Sequence, residues 1–215
     1  MSKLSVVATP IGNLEDITLR ALRVLKEADV VACEDTRQTR KLLAHFDIHT
    51  PTSTFMHVRK LLEQGKHVAL VSDAGTPGVS DPGQEIVSKA REAGAEVETI
   101  PGASALTAAL AVAGLRTHTF TFYGFLPLKK GRETLFREIA ESKRASVLYE
   151  SPHRIMKTLE ALATHMAPTR RIGVFRELTK LYEEHRVGPA AEVLSYFKAN
   201  TDKQRGEFVV VVEAA

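Results

Sequence analysis

Runs rich in Val, Ile and Phe alternate with helical patterns almost from end to end of this chain, and that alternation restricts it to α/β architecture. The first half is the more regular. Residues 4–9 read as a strand, 18–28 as an amphipathic helix with Leu19, Leu22 and Leu25 on one side, and 30–33 as a second strand. Asp35 is placed to cap a helix over 36–46, and a helix over 58–64 precedes a buried strand at 67–72. Asp81 and Pro82 supply an N-cap and a first-turn proline for a helix ending at Gly94. A strand at 97–100 then leads through Pro101-Gly102 into a small-residue helix over 103–113.

A polar stretch at 116–118 marks the expected boundary, giving domains 1–116 and 117–215, as suits a 215-residue chain. Beyond it, 119–125 and 145–150 read as strands, Ser151-Pro152 opens a helix through His165, and 171–177 is a strand. Residues 182–187 read as extended, 189–197 as a helix and 208–212 as a final buried strand. Hydrophobic residues make up 44% and charged residues 26%, enough to build packed cores. The longest apolar stretch, 105–115, is too short to span a bilayer, so no membrane partner is expected. The N-terminal run lacks the apolar core and cleavage site of a signal peptide, and the single cysteine, Cys33, rules out an intrachain disulfide and a cysteine-based metal site. A cytoplasmic protein is the expectation.

Lys and Arg number 29 against 26 acidic residues, a net charge of +3 that permits an RNA or phosphate partner without requiring one. The basic segments Lys129-Lys130-Gly131-Arg132, Lys143-Arg144 and Arg170-Arg171 all fall in the second half, as a solvated face or as phosphate contacts.

Chemistry concentrates at strand ends. Ser72-Asp73-Ala74-Gly75-Thr76-Pro77-Gly78-Val79-Ser80-Asp81-Pro82-Gly83 follows a buried strand and precedes a helix, the place where open α/β sheets bind ligands. A tight turn does not need twelve small and turn-forming residues. There is no G-x-x-x-x-G-K-[ST], no G-x-G-x-x-G, no nucleophile elbow and no H-E-x-x-H, which disfavours P-loop NTPases, ordinary dinucleotide enzymes, serine hydrolases and zincins. No metal is expected. Thr9-Pro10-Ile11-Gly12-Asn13, Pro101-Gly102-Ala103-Ser104-Ala105 and Tyr149-Glu150-Ser151-Pro152-His153-Arg154 sit at similar junctions. So do the polar clusters Cys33-Glu34-Asp35-Thr36-Arg37 and Arg176-Glu177-Leu178-Thr179-Lys180, with Glu183 and Glu184 beyond. Such clusters are either ion pairs or a proton-transfer set, and spacing alone leaves both readings open.

Taken in order, T-P-I-G-N-L-E-D-I-T, E-D-T-R, S-D-A-G-T-P-G-V-S-D-P-G, P-G-A-S-A, G-F-L-P, Y-E-S-P-H-R, R-E-L-T-K-x-x-E-E and G-E-F-V-V-V-V resemble the tetrapyrrole methylase family of class III S-adenosylmethionine-dependent methyltransferases. Within that family the pattern is similar to the branch that 2′-O-methylates a cytidine of 16S ribosomal RNA. The resemblance covers nearly the whole chain. It implies a two-domain fold, each domain a sheet flanked by helices with the cofactor cleft between them, and a homodimer acting on 16S rRNA in the small ribosomal subunit. S-adenosylmethionine would lie against Pro10, Asp73, Ala74, Gly75, Thr76, Val79, Ser104 and Ala105, with Tyr149 and Pro152 closing the other side, and a helix start at Ala103 would suit its carboxylate.

On this reading Glu34, Asp35, Glu177 and Lys180 are the candidates for the base that activates a ribose hydroxyl, and Arg37 holds a phosphate or orients a carboxylate. Lys129, Lys130, Arg132 and Arg154 would contact RNA phosphates, and Phe122, Tyr123, Phe125 and Tyr149 offer stacking faces unless they are core. One departure stands out. The family carries a His- and Asn-containing stretch after the Thr-Pro-Thr matched by Thr50-Pro51-Thr52, whereas here Ser53-Thr54-Phe55-Met56-His57 runs directly into the next helix. The rival readings are a carbon methyltransferase acting on a tetrapyrrole, and a non-catalytic RNA-binding protein on a degenerate methylase fold.

Overall fold

Near-continuous apolar runs in short Val-rich strands, separated by helices, suit sheets packed between helices, and the computed structural model, which describes residues 2–215, contains two sheets. The chain divides into one unit ending at Ser104 and a second spanning Ala105–Ala215.

In the first unit, β1 (Lys3–Val7), β2 (Val30–Cys33), β3 (Thr52–Thr54), β4 (His67–Leu70) and β5 (Glu96–Ile100) form an all-parallel sheet in the order β3-β2-β4-β1-β5. Side chains alternate across the pleat. Val7, Val31 and Ala69 face α1 (Leu19–Glu27) and α2 (Thr36–His45) through Val24, Leu25 and Leu43. Leu4, Ala32, Val68 and Leu70 face α3 (Val58–Glu63) and α4 (Gly83–Glu92) through Val58, Leu62, Ile86 and Ala90.

Caps set the helix starts. The Thr18 hydroxyl accepts from the Ala21 amide at 3.0 Å, and Asp35 caps α2 as expected. At α4 the expectation shifts by one residue: Pro82 occupies the cap position, while Asp81 Oδ1 accepts from the amides of Gly83 (2.7 Å) and Gly78 (2.8 Å). Its carboxylate therefore fastens the preceding loop as well as the helix.

The second unit holds α5 (Ala105–Val112), β6 (Phe120–Phe125), α6 (Arg132–Glu141), β7 (Ala145–Glu150), α7 (Ile155–His165), β8 (Arg171–Arg176), β9 (Glu184–Pro189), α8 (Ala190–Ala199) and β10 (Phe208–Val212). Its sheet runs β6-β7-β10-β8-β9, with only β6 and β7 parallel. Leu148, Ile172, Val174, Phe208, Val210 and Val212 on one face bury Phe136, Ile139, Leu159, Val193 and Phe197 from α6, α7 and α8.

Three expectations need correction. Helix α6 was not anticipated, because its apolar positions are few and Lys129-Lys130-Gly131-Arg132 reads as a charge run. Helix α5 starts at Ala105 rather than 103, and α7 at Ile155 rather than 151, since the turn-forming Pro-Gly and Ser-Pro segments stay outside the helices. No helix among the described residues is long and apolar enough to cross a membrane.

Candidate active site

Because every strand of the first sheet is parallel, the loops after β1, β2, β4 and β5 emerge at one edge. They are tied to one another. Thr9 and Gly75 exchange two backbone hydrogen bonds, Thr9 N to Gly75 O at 2.9 Å and Gly75 N to Thr9 O at 3.0 Å. The Thr76 hydroxyl donates to Ala103 O at 3.1 Å, joining the β4 loop to the β5 loop. Gly75 has φ +78°, where an L side chain is strained, and a Cβ there would sit 3.2 Å from Ile11 Cγ2 and crowd the β1 loop, so glycine suits the position.

This edge carries Pro10, Asp73, Ala74, Gly75, Thr76, Val79 and Ser104 in linked loops, whereas Ala105, Tyr149 and Pro152 belong to the second unit. Its chemistry suits a nucleoside: small side chains beside the backbone for a flat base, and the exposed carboxylate of Asp73 for a diol or an ammonium.

Three acidic groups meet at the same edge. Asp73 Oδ1 accepts from the Asp35 amide at 3.2 Å. Asp35 is occupied by Arg37, whose amide (2.8 Å), Nε (3.1 Å) and Nη2 (2.9 Å) all donate to its carboxylate and hold its pKa down at about 2. Glu34 moves the opposite way. Desolvation, and then the negative charges of Asp73 and Asp81, push its carboxyl above the ordinary value.

In the second unit, Glu177 and Lys180 form part of a lock after β8. Lys180 Nζ donates to Glu177 Oε1 at 2.9 Å and to Glu207 Oε2 at 2.8 Å, while the Glu207 amide donates to Glu177 Oε1 at 2.8 Å. Burial alone would lower the Lys180 pKa, but the two carboxylates outweigh it and raise the pKa above the ordinary value. Burial likewise pushes Glu177 up, and the Glu207 amide and Lys180 more than reverse it, leaving its pKa lowered. Glu177 (φ 52°) and Thr179 (φ 67°) both sit in the left-handed region, where non-glycine residues cluster at constrained functional loops.

The remaining candidates divide by exposure. Lys129 and Lys130 are exposed, as is Arg37, and Tyr149 packs edge-on against Phe122 (5.0 Å) and Phe125 (5.6 Å). Arg132 and Arg154 instead turn inward to Glu150, whose side chain is fully buried, at 3.2 and 2.9 Å. Glu150, Glu207 and Gly206 were missed as functional candidates from the sequence. The Glu150/Arg154 spacing of four was the available signal for the first.

With this geometry in place, the sequence model of the family Tetrapyrrole (Corrin/Porphyrin) Methylases matches residues 3–194. Curated relatives include proteins named Ribosomal RNA small subunit methyltransferase I. The one from Synechocystis sp. is 46% identical over 225 residues, covering 100% of this chain and 80% of its own length. The one from Thermotoga maritima is 42% identical, covering 99% of this chain and 98% of its own. The Synechocystis alignment is longer than the 215-residue chain, so the relative carries residues that this chain lacks. Among solved structures, the methyltransferase CobJ superposes with TM-score 0.74 at 22% identity over 100% of this chain and 95% of its own. Uroporphyrin-III-C-methyltransferase from Thermus thermophilus gives 0.69 at 22% identity over 98% and 94%. These two likenesses establish the fold.

Proposed function

The chain belongs to the tetrapyrrole (corrin/porphyrin) methylase family, and from that premise we propose that it is an S-adenosylmethionine-dependent enzyme that methylates the 2′-oxygen of a cytidine ribose in 16S ribosomal RNA of the small ribosomal subunit. The observation that carries the choice of acceptor is the similarity over 99–100% of this chain, at 42–46% identity, to proteins named Ribosomal RNA small subunit methyltransferase I, against 22% for the two methyltransferases of known structure named above. A cytoplasmic homodimer completes the reading, and sedimentation velocity reads the assembly mass directly.

The linked, small-residue loops of the first unit's strand-end edge support this reading of the cofactor site. Asp73 would accept from the ribose hydroxyls, and the Pro10, Ala74, Gly75, Thr76 and Val79 segments would seat the adenine against the backbone. When bound, S-adenosylmethionine supplies an electrophilic methyl carbon on a sulfonium centre.

The chain's own contribution is alignment of the acceptor oxygen and removal of its proton. Of the four candidate bases, Asp35 is held near a pKa of about 2 by Arg37 and Glu177 is also lowered, so both are weak bases. Lys180 is held as the ammonium by two carboxylates. Among the three carboxylates Glu34 alone is shifted toward greater basicity, and it lies on the same sheet edge as Asp73. We therefore assign the base to Glu34. It would accept the 2′-hydroxyl proton as that oxygen takes up the methyl group that bound S-adenosylmethionine would supply. Arg37 and Lys180 then serve as positioning groups.

The test is incubation with methyl-labelled S-adenosylmethionine and either small ribosomal subunits or a porphyrinogen acceptor. Label recovered in RNA supports the proposal, and label confined to the tetrapyrrole overturns it.

A further inference from the structure

A buried carboxylate is destabilising unless every lone pair finds a donor, and Glu150 at the end of β7 meets that demand fully. Oε1 accepts from the Ser151 amide at 2.8 Å and pairs with Arg154 Nε at 2.9 Å. Oε2 accepts from the Thr158 hydroxyl at 2.6 Å and from Arg132 Nη2 at 3.2 Å.

Both guanidinium groups also reach outward, to consecutive carbonyls of the segment that follows β6. Arg154 Nη1 donates to Leu126 O at 2.8 Å, and Arg132 Nη1 donates to Pro127 O at 3.2 Å. Two arginines from different elements thus pin two adjacent peptide units, and one carboxylate orients both arginines.

What they hold is an exposed lip. Phe125 is 54% exposed with the Arg154 guanidinium 5.9 Å from its ring centroid, Leu128 is 75% exposed, and Lys129 and Lys130 lie in solvent beside it. An aromatic face followed at once by two cations is the chemistry that grips an unpaired nucleotide and its flanking phosphates. Fixing such a lip in advance lowers the entropic cost of binding.

We propose that Glu150 is a positioning residue: through Arg132 and Arg154 it sets the backbone after β6 so that Phe125, Lys129 and Lys130 meet one unpaired nucleotide of the RNA substrate. This rests on the RNA methyltransferase reading above. Arg132 and Arg154 accordingly act behind the RNA surface rather than on it.

The test compares the wild-type chain with Glu150→Gln, the double variant Lys129→Ala/Lys130→Ala, and the triple combination, using small ribosomal subunits as substrate and calorimetry for S-adenosylmethionine binding. Glu150→Gln is expected to raise KM for subunits about tenfold with kcat and cofactor affinity within about twofold. The double variant is expected to do the same and to reduce the log–log salt slope by about 1.4, two single-strand phosphate contacts. The triple variant then loses less than the sum of the two, because the clamp acts in part through the lysines. Thr158→Val, which removes one donor to Glu150, gives a smaller rise of the same kind should Glu150→Gln not fold. An unchanged KM, a parallel loss of cofactor affinity, or additive losses in the triple variant would overturn the proposal. Absence of methyl transfer by the wild-type chain rejects the functional reading itself, whereas wild-type activity with an unchanged variant KM rejects the clamp alone.

Discussion

Replacing Gly206 by alanine tests the lock around Lys180. Gly206 has φ +99°, so any L side chain is strained there by about 1–2 kcal/mol. The new Cβ would also fall 2.6 Å from Glu177 Cγ and 2.7 Å from both Cδ and Oε1. Glu177 must swing away, forfeiting the bonds that its Oε1 accepts from Lys180 Nζ (2.9 Å) and the Glu207 amide (2.8 Å), each worth about 1 kcal/mol where solvent reaches the pair. The sum is about 3–4 kcal/mol, or roughly 6–16 °C in Tm for a chain of this size. Gly131→Ala is the internal control, since Gly131 shares the left-handed conformation (φ +82°) but has nothing within 4 Å of a built Cβ, leaving only the backbone cost. Differential scanning calorimetry of both variants reads the difference. Equal Tm losses, or a Gly206→Ala variant as stable as wild type, would refute the steric and hydrogen-bond argument.

Gly75→Ala, which combines a φ of +78° with a 3.2 Å approach to Ile11, is expected to weaken S-adenosylmethionine binding about tenfold by calorimetry; unaltered affinity would remove the β4 loop from the cofactor site. Glu34→Gln is expected to lower kcat by about 10²–10⁴ and to abolish the acid limb of the wild-type pH–rate profile, whose midpoint lies above the ordinary 4.5 because the Glu34 pKa is raised. A variant that keeps the same acid limb would exclude Glu34 as the base. Lys180→Met removes a pair whose pH dependence has a defined sign. The Lys180 contribution is intact below 10.5 and is lost as pH rises through its raised folded value, and the Glu177 contribution is present above 4.5 and is lost as pH falls through its lowered one. The stability gap between wild type and variant in denaturant titrations should therefore be flat between those values and close at both extremes; a gap that widens in alkali would contradict the assignment.

The parts of the fold legible in the sequence are those governed by local rules. The strands at Val30–Cys33, Ala145–Glu150 and Phe208–Val212 begin and end where read, because short β-branched runs are bounded by polar residues. Strand β4 stops at Leu70, two residues early, since Ser72 turns to hydrogen-bond the loop carbonyls of Ala74 and Gly75. Helix α6 escaped notice because Phe136 and Ile139 supply its buried face almost alone within a charged segment. The site shows the same division. Small-residue loops at strand ends were visible as motifs, but whether a charged cluster is an ion pair or a proton-transfer set depends on partners distant in sequence. Glu207 lies 27 residues from Lys180, and Arg132 lies 18 from Glu150. The spacing that made Arg132 look like an RNA contact carried no information about the buried carboxylate that holds it.

The most direct test of the account is nucleoside mass spectrometry of 16S ribosomal RNA after reaction of unmodified small subunits with the full chain and S-adenosylmethionine. The expected product is 2′-O-methylcytidine, approaching one per subunit and absent without enzyme. Transfer to a base, or no transfer by a chain that binds the cofactor, would contradict ribose methylation as its activity.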